Sequence, residues 1–230
     1  MKKLISIAVL STTVSMTAIA NGQGGQPDWS GDLSVGTHLG TLGSGINFGY
    51  EISDQWVVKA EFNNTNYNYD GTENDIKYDF DLKLKSQGVL VNWHPFSSGF
   101  RLTGGIYNNG NHVKGRGVYG STDTINIGGT VYSGADIGSV TTEVKFNSTA
   151  PYLGLGYAAN LGAFEFGFDA GVLLQGSADV SLDITPNAGI TGAALTKLII
   201  DTQTERKSLE NDLDGLKYFP VAKLSVSYNF

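Results

Sequence analysis

Along most of the chain, apolar side chains occupy every second position, with polar residues or glycine between them. A period of two is typical of a β-strand that has one apolar and one polar face. The pattern predicts eight strands, and in the fourth it changes phase near Gly88, which predicts a β-bulge. The alternating runs are 33–39, 46–52, 56–62, 78–84, 100–106, 153–157, 164–172 and 222–230.

The two faces of these strands differ in volume. The apolar face carries a dozen aromatic rings, whereas the opposite face is rich in glycine. An eight-stranded barrel has an interior just wide enough for side chains to fill, so a dozen rings would overfill it. We therefore expect the rings to face outward, into lipid. They are Phe48, Tyr50, Phe62, Tyr78, Phe80, Phe100, Tyr157, Phe164, Phe166, Phe168, Tyr228 and Phe230.

The connections between the predicted strands are of two kinds. Short periplasmic turns and long external loops are typical of outer-membrane barrels. The short connections are 53–55, 94–99 and 159–162, and the mostly long ones are 66–76, 108–149 and 175–217. Aromatic residues next to the short turns or at the C-terminus predict an interfacial girdle. These are Trp56, Trp93, Phe96, Phe100, Phe164 and Phe230.

Two of the long loops contain patterns of their own. Residues 124–132 alternate around Gly128-Gly129, which predicts a small extra hairpin. Leucines and charged residues between 195 and 216 follow helical spacing, which predicts a short amphipathic helix over the barrel mouth. A helix that binds the membrane surface or a partner is the alternative. The predicted fold is all-β, an eight-stranded antiparallel up-and-down transmembrane β-barrel with long extracellular loops and a short helix in the last loop.

The N-terminus predicts export. Two lysines precede an apolar run from Leu4 to Leu10, and a stretch ending in Ala18-Ile19-Ala20 follows. These features are typical of a secretory signal peptide, here residues 1–20, with cleavage after Ala20. No later stretch approaches the roughly 18–20 apolar residues of a membrane helix. We therefore expect residues 21–230 to form one outer-membrane barrel domain, in the outer membrane of a Gram-negative cell.

Composition narrows the function classes. Cysteine is absent, so the exported chain has no disulfides. The net charge of −7 without basic clusters argues against nucleic acid as a partner. His38, His94 and His112 are scattered, with neither a neighbouring nucleophile motif nor metal-ligand spacing. We therefore predict no catalytic residues, no metal site and no cofactor.

The polar face of the predicted barrel carries charges of both signs. In a narrow lumen these charges must pair or contact water. One interpretation is a salt-bridged plug. The other is a narrow path for small zwitterionic or cationic solutes, in which one more carboxylate than cations favours cations weakly. The predicted lumen residues are Glu51, Lys59, Glu61, Asp79, Asp81, Lys83, Lys85, Arg101, Glu165, Asp169 and Lys223.

Three stretches resemble the CarO-like outer-membrane proteins and related uncharacterised proteobacterial barrels. They are Lys77-Tyr78-Asp79-Phe80-Asp81, the run from Ala150-Pro151-Tyr152 to Ala158, and Lys217-Tyr218-Phe219-Pro220-Val221 leading to Phe230. The resemblance runs from about 46 to 230 and is weak in the loops. It implies an eight-stranded barrel and uptake of basic amino acids such as ornithine and, in some members, carbapenems.

These observations leave two main hypotheses for function. The first is a narrow channel for small polar solutes such as basic amino acids, and the second is a closed structural or surface-interaction barrel whose function lies in its extracellular loops. A soluble exported barrel is a third option. Expected partners are outer-membrane lipid, lipopolysaccharide, small-molecule solutes, and the barrel-assembly machinery through the strand that ends at Phe230.

Overall fold

The computed structural model describes residues 33–230, apart from 74, 75, 97 and 188. The predicted signal peptide, residues 1–20, lies outside the described residues. Within the described part of the chain, no helix combines the length and the hydropathy needed to cross a bilayer. The strands are β1 (Leu33–Gly40), β2 (Gly43–Ser53), β3 (Trp56–Glu73), β4 (Ile76–Trp93), β5 (Phe100–Asn109), β6 (His112–Val118), β7 (Thr124–Ile127), β8 (Thr130–Ser133), β9 (Ile137–Lys145), β10 (Thr149–Leu161), β11 (Phe164–Leu174), β12 (Asp179–Pro186) and β13 (Tyr218–Asn229).

Eight of these strands close a barrel in which all neighbours are antiparallel. Its order is β1-β2-β3-β4-β5-β10-β11-β13, and β13 pairs again with β1. Closure matters because a barrel without a free edge satisfies its backbone hydrogen bonds within its own wall. The predicted eight-stranded antiparallel barrel is confirmed.

The side chains of the wall follow the predicted alternation. Along β11, Glu165, Gly167 and Asp169 are buried, whereas the phenylalanines between them are exposed. The same holds on β2, where Asn47 is buried and Phe48 is exposed. Apolar rings therefore cover the outside of the wall, and polar residues and glycines line its interior.

The wall has two different ends. At one end, which we call the turn end, tight connections join β2 to β3 and β10 to β11, and residues 94–99 join β4 to β5. The first and last described residues also meet there, since the Phe230 N–H donates to the Leu33 carbonyl at 3.0 Å. At the opposite end, β1 turns into β2 through Thr41 and Leu42, and the two longest connections leave the barrel.

Strand β4 corrects the predicted bulge near Gly88. Its register with β3 runs without a shift, so no residue is inserted there. Instead, β4 extends past the barrel at the end opposite the turn end. Its residues from Ser86 to Trp93 pair with β5, whereas Lys77 to Lys83 pair with β6. Tyr78 and Phe80, which were expected to face lipid, lie by alternation on the same face of β4 as Ser86 and Gly88. The apolar residues of β4 therefore change from the outward to the inward face along the strand, because the half of β4 that pairs with β6 packs against protein.

The two longest connections fold together into what we call the cap, which comprises β6, β7, β8, β9, β12 and one helix. β4, β6, β9 and β12 form a continuous antiparallel sheet. The helix α1 (Gly192–Asp212) packs on β7 and β12 and is followed by a 3₁₀ turn (Asp214–Lys217). A helix in the last loop was predicted, but its 21 residues make it longer than the short one expected. The predicted hairpin within 124–132 is present as β7 and β8.

The cap has its own apolar core. Ile127 and Ile137 are fully buried and pack with Val140, Leu182 and Leu198 of α1. The β7–β8 turn approaches α1 closely at Gly128, whose φ of +58° favours glycine. A Cβ at Gly128 would also lie 2.5 Å from the Asp201 carbonyl oxygen. The hairpin is therefore held against the helix.

Candidate functional site

Six buried charged residues fill the part of the barrel interior nearer the turn end. We call them the ion network: Lys59 and Glu61 on β3, Arg101 on β5, Glu165 and Asp169 on β11, and Lys223 on β13. Each is at most 8% exposed. Alternation on four different strands brings them inward, and closure of the barrel brings them together.

Arg101 is the centre of the ion network. Its Nε and Nη2 donate to the two Asp169 carboxylate oxygens at 2.9 and 3.0 Å, a two-pronged pairing that suits guanidinium and carboxylate. Its Nη1 lies 3.4 Å from Glu165 Oε1. Lys223 Nζ donates to Glu61 Oε1 and lies 3.8 Å from Asp169 Oδ2.

One ion pair crosses the whole lumen. Lys59 Nζ lies 3.4 Å from Glu165 Oε1, and their strands β3 and β11 are four places apart around the eight-stranded ring. The ion network therefore joins opposite walls. It holds three cations and three carboxylates, so the expected excess of carboxylates does not hold for the buried set.

Neutral polar groups extend the ion network. Tyr107 Oη donates to Glu61 Oε2 at 2.6 Å, so Glu61 is shared between Tyr107 and Lys223. A second group surrounds His38, whose Nε2 lies 2.7 Å from Asn63 Oδ1 and whose Nδ1 accepts from Asn47 at 3.3 Å. Buried polar groups are thus largely paired with one another, as a narrow interior requires.

An apolar layer closes the interior toward the cap. Tyr107 and Tyr152 are each 1% exposed, and their rings meet edge to face with centroids 5.8 Å apart. Glycines make room for these rings, since a Cβ at Gly88 would lie 2.5 Å from the Tyr107 ring. The layer is completed by Leu42, Leu90, Ala150, Leu173 and Val221.

Little space remains between these groups. The cavity bordered by five of the six ion-network residues, Leu90 and Thr103 measures about 10 Å³, which is no more than one water molecule needs. The geometry is therefore that of a filled barrel, in which charge, hydrogen bonds and apolar packing each block part of the cross-section.

The eleven predicted lumen residues divide into three groups. Six form the ion network, and Glu51 lies half-buried at the turn end of β2. The other four have odd residue numbers in the half of β4 nearer the cap, on the face opposite Phe80. In this part, β4 pairs with β6 or no longer pairs with β5. That face is the outer one, because nearer the turn end it carries the exposed Val89 and Val91. The predicted lumen set is therefore wrong at four positions, which lie on the outer face instead: Asp79, Asp81, Lys83 and Lys85.

Sequence reasoning missed several interior groups. Tyr107 and Tyr152 fall on the polar face of their strands, and this position was the signal that could have placed them inside. Asn47, Asn63 and Ser86 were likewise inward by alternation. The predicted lumen set contains only charged residues, so it does not include these uncharged side chains.

The cap contains a second polar cluster, at Asp201 on α1. Asp201 Oδ2 accepts hydrogen bonds from Lys197 Nζ at 2.6 Å and from Tyr132 Oη at 2.8 Å. Lys197 Nζ also donates to Thr130 Oγ1 at 2.5 Å. These bonds join the helix to the β8 strand of the hairpin. Hydrogen bonds lower the pKa of Asp201 to about 2. The bond from Lys197 contributes most, and those from Thr130 and Tyr132 contribute less.

We expect acid to loosen this contact. Because the folded-state pKa of Asp201 lies below its ordinary value of 3.8, its contribution is present above about pH 3.8 and is lost as the pH falls toward 2. Cleavage of the cap by pepsin, normalised to an unstructured peptide, should rise between pH 4 and pH 2. Asp201→Asn should be cleaved faster at pH 4 and respond less to acid. If acid increased cleavage equally in wild type and Asp201→Asn, Asp201 would not be the group whose protonation loosens the cap.

Comparisons with known proteins agree with the barrel. No family model matches the sequence, and no curated protein matches it either. Among solved structures, CarO2 of Acinetobacter baumannii matches with a TM-score of 0.57 and 20% identity, covering 86% of this chain and 98% of that chain. CarO of the same organism gives 0.57 and 18%, covering 86% and 97%. This chain therefore has the fold of the CarO-like outer-membrane barrels.

Proposed function

We propose that this protein is a closed barrel of the outer membrane that anchors the cap at the cell surface, and that its function is non-catalytic and lies in the cap. The observation that carries the proposal is the filled lumen. The Lys59–Glu165 pair spans opposite walls, and the cavity beside it measures about 10 Å³. A hydrated solute finds no path through such an interior.

The outer surface of the wall supports insertion in a membrane. Large apolar side chains are exposed all around the barrel, including Ile46 on β2, Val89 on β4 and Leu155 on β10. A soluble monomer rarely exposes an apolar surface of this extent. At the turn end, Trp56 and Trp93 stack with ring centroids 6.0 Å apart, as expected of an interfacial girdle.

The two ends of the barrel suggest its orientation. Outer-membrane barrels have short periplasmic turns and long external loops, so the turn end is assigned to the periplasm and the cap to the outside. Phe230 then directly follows the last strand at the periplasmic side, where the barrel-assembly machinery would receive it after export. A cleaved signal peptide over residues 1–20 is part of this proposal.

A row of basic residues on the cap supports contact with lipopolysaccharide. Lys83, His112 and Lys145 lie side by side on β4, β6 and β9. On β4, the outward positions toward the membrane are Lys85, then Gln87, and then the lipid-facing Val89. At roughly 3.3 Å per residue, the row lies near the level of the lipid head groups. The two lysines pair with Asp81 and Glu143 at 3.4 and 3.0 Å, and their remaining N–H donors are suited to phosphate oxygens.

A narrow channel for basic amino acids such as ornithine is the alternative. The charged lining of the barrel favours it, since Glu61, Glu165 and Asp169 lie inside the barrel, where a cationic solute would meet them. Passage would require the Arg101–Asp169 pair and the tyrosine layer to separate. The two functions therefore differ in whether folded protein conducts solutes.

Liposome uptake separates the two functions. The mature chain is refolded into liposomes, folding is checked by its gel mobility before and after heating, and entry of ornithine, glycine and glutamate is measured. Closed-barrel protein should admit none of them faster than empty liposomes do. A general porin in the same vesicles serves as the positive control.

Entry of ornithine faster than glutamate through folded protein would overturn the closed-barrel proposal and support the channel. Entry of all three at equal rates would also overturn it, but would indicate an unselective path.

A further inference from the structure

The cap contains a half-open pocket that the proposed anchoring function does not use. It lies between the sheet formed by β4, β6 and β9 and the C-terminal part of α1, and it measures about 120 Å³. Buried Val144, Leu209 and Leu213 form its inner wall. Phe80 and Phe146, which also line it, are half-buried. The pocket is therefore almost wholly apolar.

Gly115 forms the floor of this pocket. In register it lies between Phe80 on β4 and Thr142 on β9. A Cβ built at Gly115 would meet no heavy atom within 4 Å, and its φ lies outside the left-handed region. Neither a turn nor a close backbone approach explains a glycine in the middle of this strand. Glycine within a strand often marks a site where another molecule approaches, and here it keeps the floor open.

The size and the lining of the pocket define the ligand. An apolar cavity of about 150 Å³ in another protein stays dry and binds benzene or xenon, and the present pocket is of similar size. Phe80, Tyr119 and Phe146 line the pocket, and their aromatic rings favour an aromatic guest. We propose that the cap binds a neutral molecule with a single six-membered aromatic ring. This site goes beyond the anchoring function and does not depend on whether the lumen is closed.

Fluorobenzene is a suitable probe because its ¹⁹F NMR signal reports binding directly. The full mature chain is placed in lipid nanodiscs, and the affinity is measured for wild type, Gly115→Ala, Gly115→Leu and Gly189→Leu. All preparations contain the same lipid, so partition into lipid cancels in the comparison. Gly189 is the matched control, since a Cβ there also meets no atom within 4 Å and its φ is outside the left-handed region.

The expected result is a graded loss. Gly115→Leu, which fills the floor, should weaken binding at least tenfold, Gly115→Ala should weaken it less, and Gly189→Leu should bind as wild type does. Should Gly115→Leu fail to fold, the alanine variant still decides the matter. Equal fluorobenzene signals in wild type and both Gly115 variants would overturn the proposal, as would no binding above empty nanodiscs.

Discussion

Replacement of Arg101 by alanine is expected to lower the free energy of unfolding by about 3–5 kcal/mol, because it leaves buried carboxylates without their partner. Arg101 is 1% exposed and holds both oxygens of Asp169 while also contacting Glu165. Truncation would leave two neighbouring carboxylates facing fewer cations in a dry interior. Urea unfolding in lipid vesicles, followed by tryptophan fluorescence, measures the change.

Two variants separate the loss of charge from the loss of packing. Arg101→Lys keeps the charge but not the two-pronged pairing, so its loss should be intermediate. The double variant Arg101→Leu with Asp169→Leu removes one charge of each sign, and it should recover most of the stability, since replacing a buried ion pair by apolar residues is often neutral.

An exposed ion pair gives the surface control. Lys145 Nζ lies 3.0 Å from Glu143 Oε2, and the lysine side chain is largely exposed. Lys145→Ala should change stability by less than about 1 kcal/mol. If Arg101→Ala changed stability no more than Lys145→Ala, the ion network would not hold the barrel closed.

The barrel could be predicted from the sequence because its two faces are chemically distinct along each strand. Phe164, Phe166 and Phe168 alternate with Glu165, Gly167 and Asp169, and a period of two is enough to assign opposite faces. The narrow interior then decides which face is inside, because ring volume excludes the other arrangement. This reasoning needs only local pattern and barrel size.

Strand β4 shows where local pattern fails. Tyr78 and Phe80 alternate with charged residues just as lipid-facing residues do, yet they lie on the cap side of the sheet. Hydropathy does not distinguish lipid from a protein core as the apolar partner. The change of partner from β5 to β6 depends on long-range pairing, so the residues of β4 alone do not indicate where it occurs.

The ion network could be predicted as a set but not as pairs. Alternation places Glu61, Arg101 and Lys223 inside the barrel. Which cation meets which carboxylate depends on closure, since Glu61 and Lys223 are 162 positions apart in the chain. The same limit applies to Tyr107, which reaches Glu61 across 46 positions. The predicted plug and the predicted path differ in these pairings, so the sequence left both open.

The cap should be able to loosen while the barrel stays folded, and Ile127→Ala tests this. Ile127 is fully buried between the sheet and α1, and every described residue of the core around it belongs to the cap. Removing three of its side-chain carbons should destabilise the cap by about 2–5 kcal/mol through lost burial and a residual cavity. Hydrogen exchange of cap amides measures the effect, with heat-dependent gel mobility reporting on the barrel.

Val131→Ala is the matched control, because Val131 lies in the same hairpin but is 66% exposed. It should change cap exchange by less than about 0.5 kcal/mol. The prediction would be contradicted if Ile127→Ala unfolded the barrel together with the cap. That result would mean that β4, which runs through both, transmits cap instability to the wall. Independent loosening would instead indicate that the filled barrel holds its shape without the cap, as an anchor must.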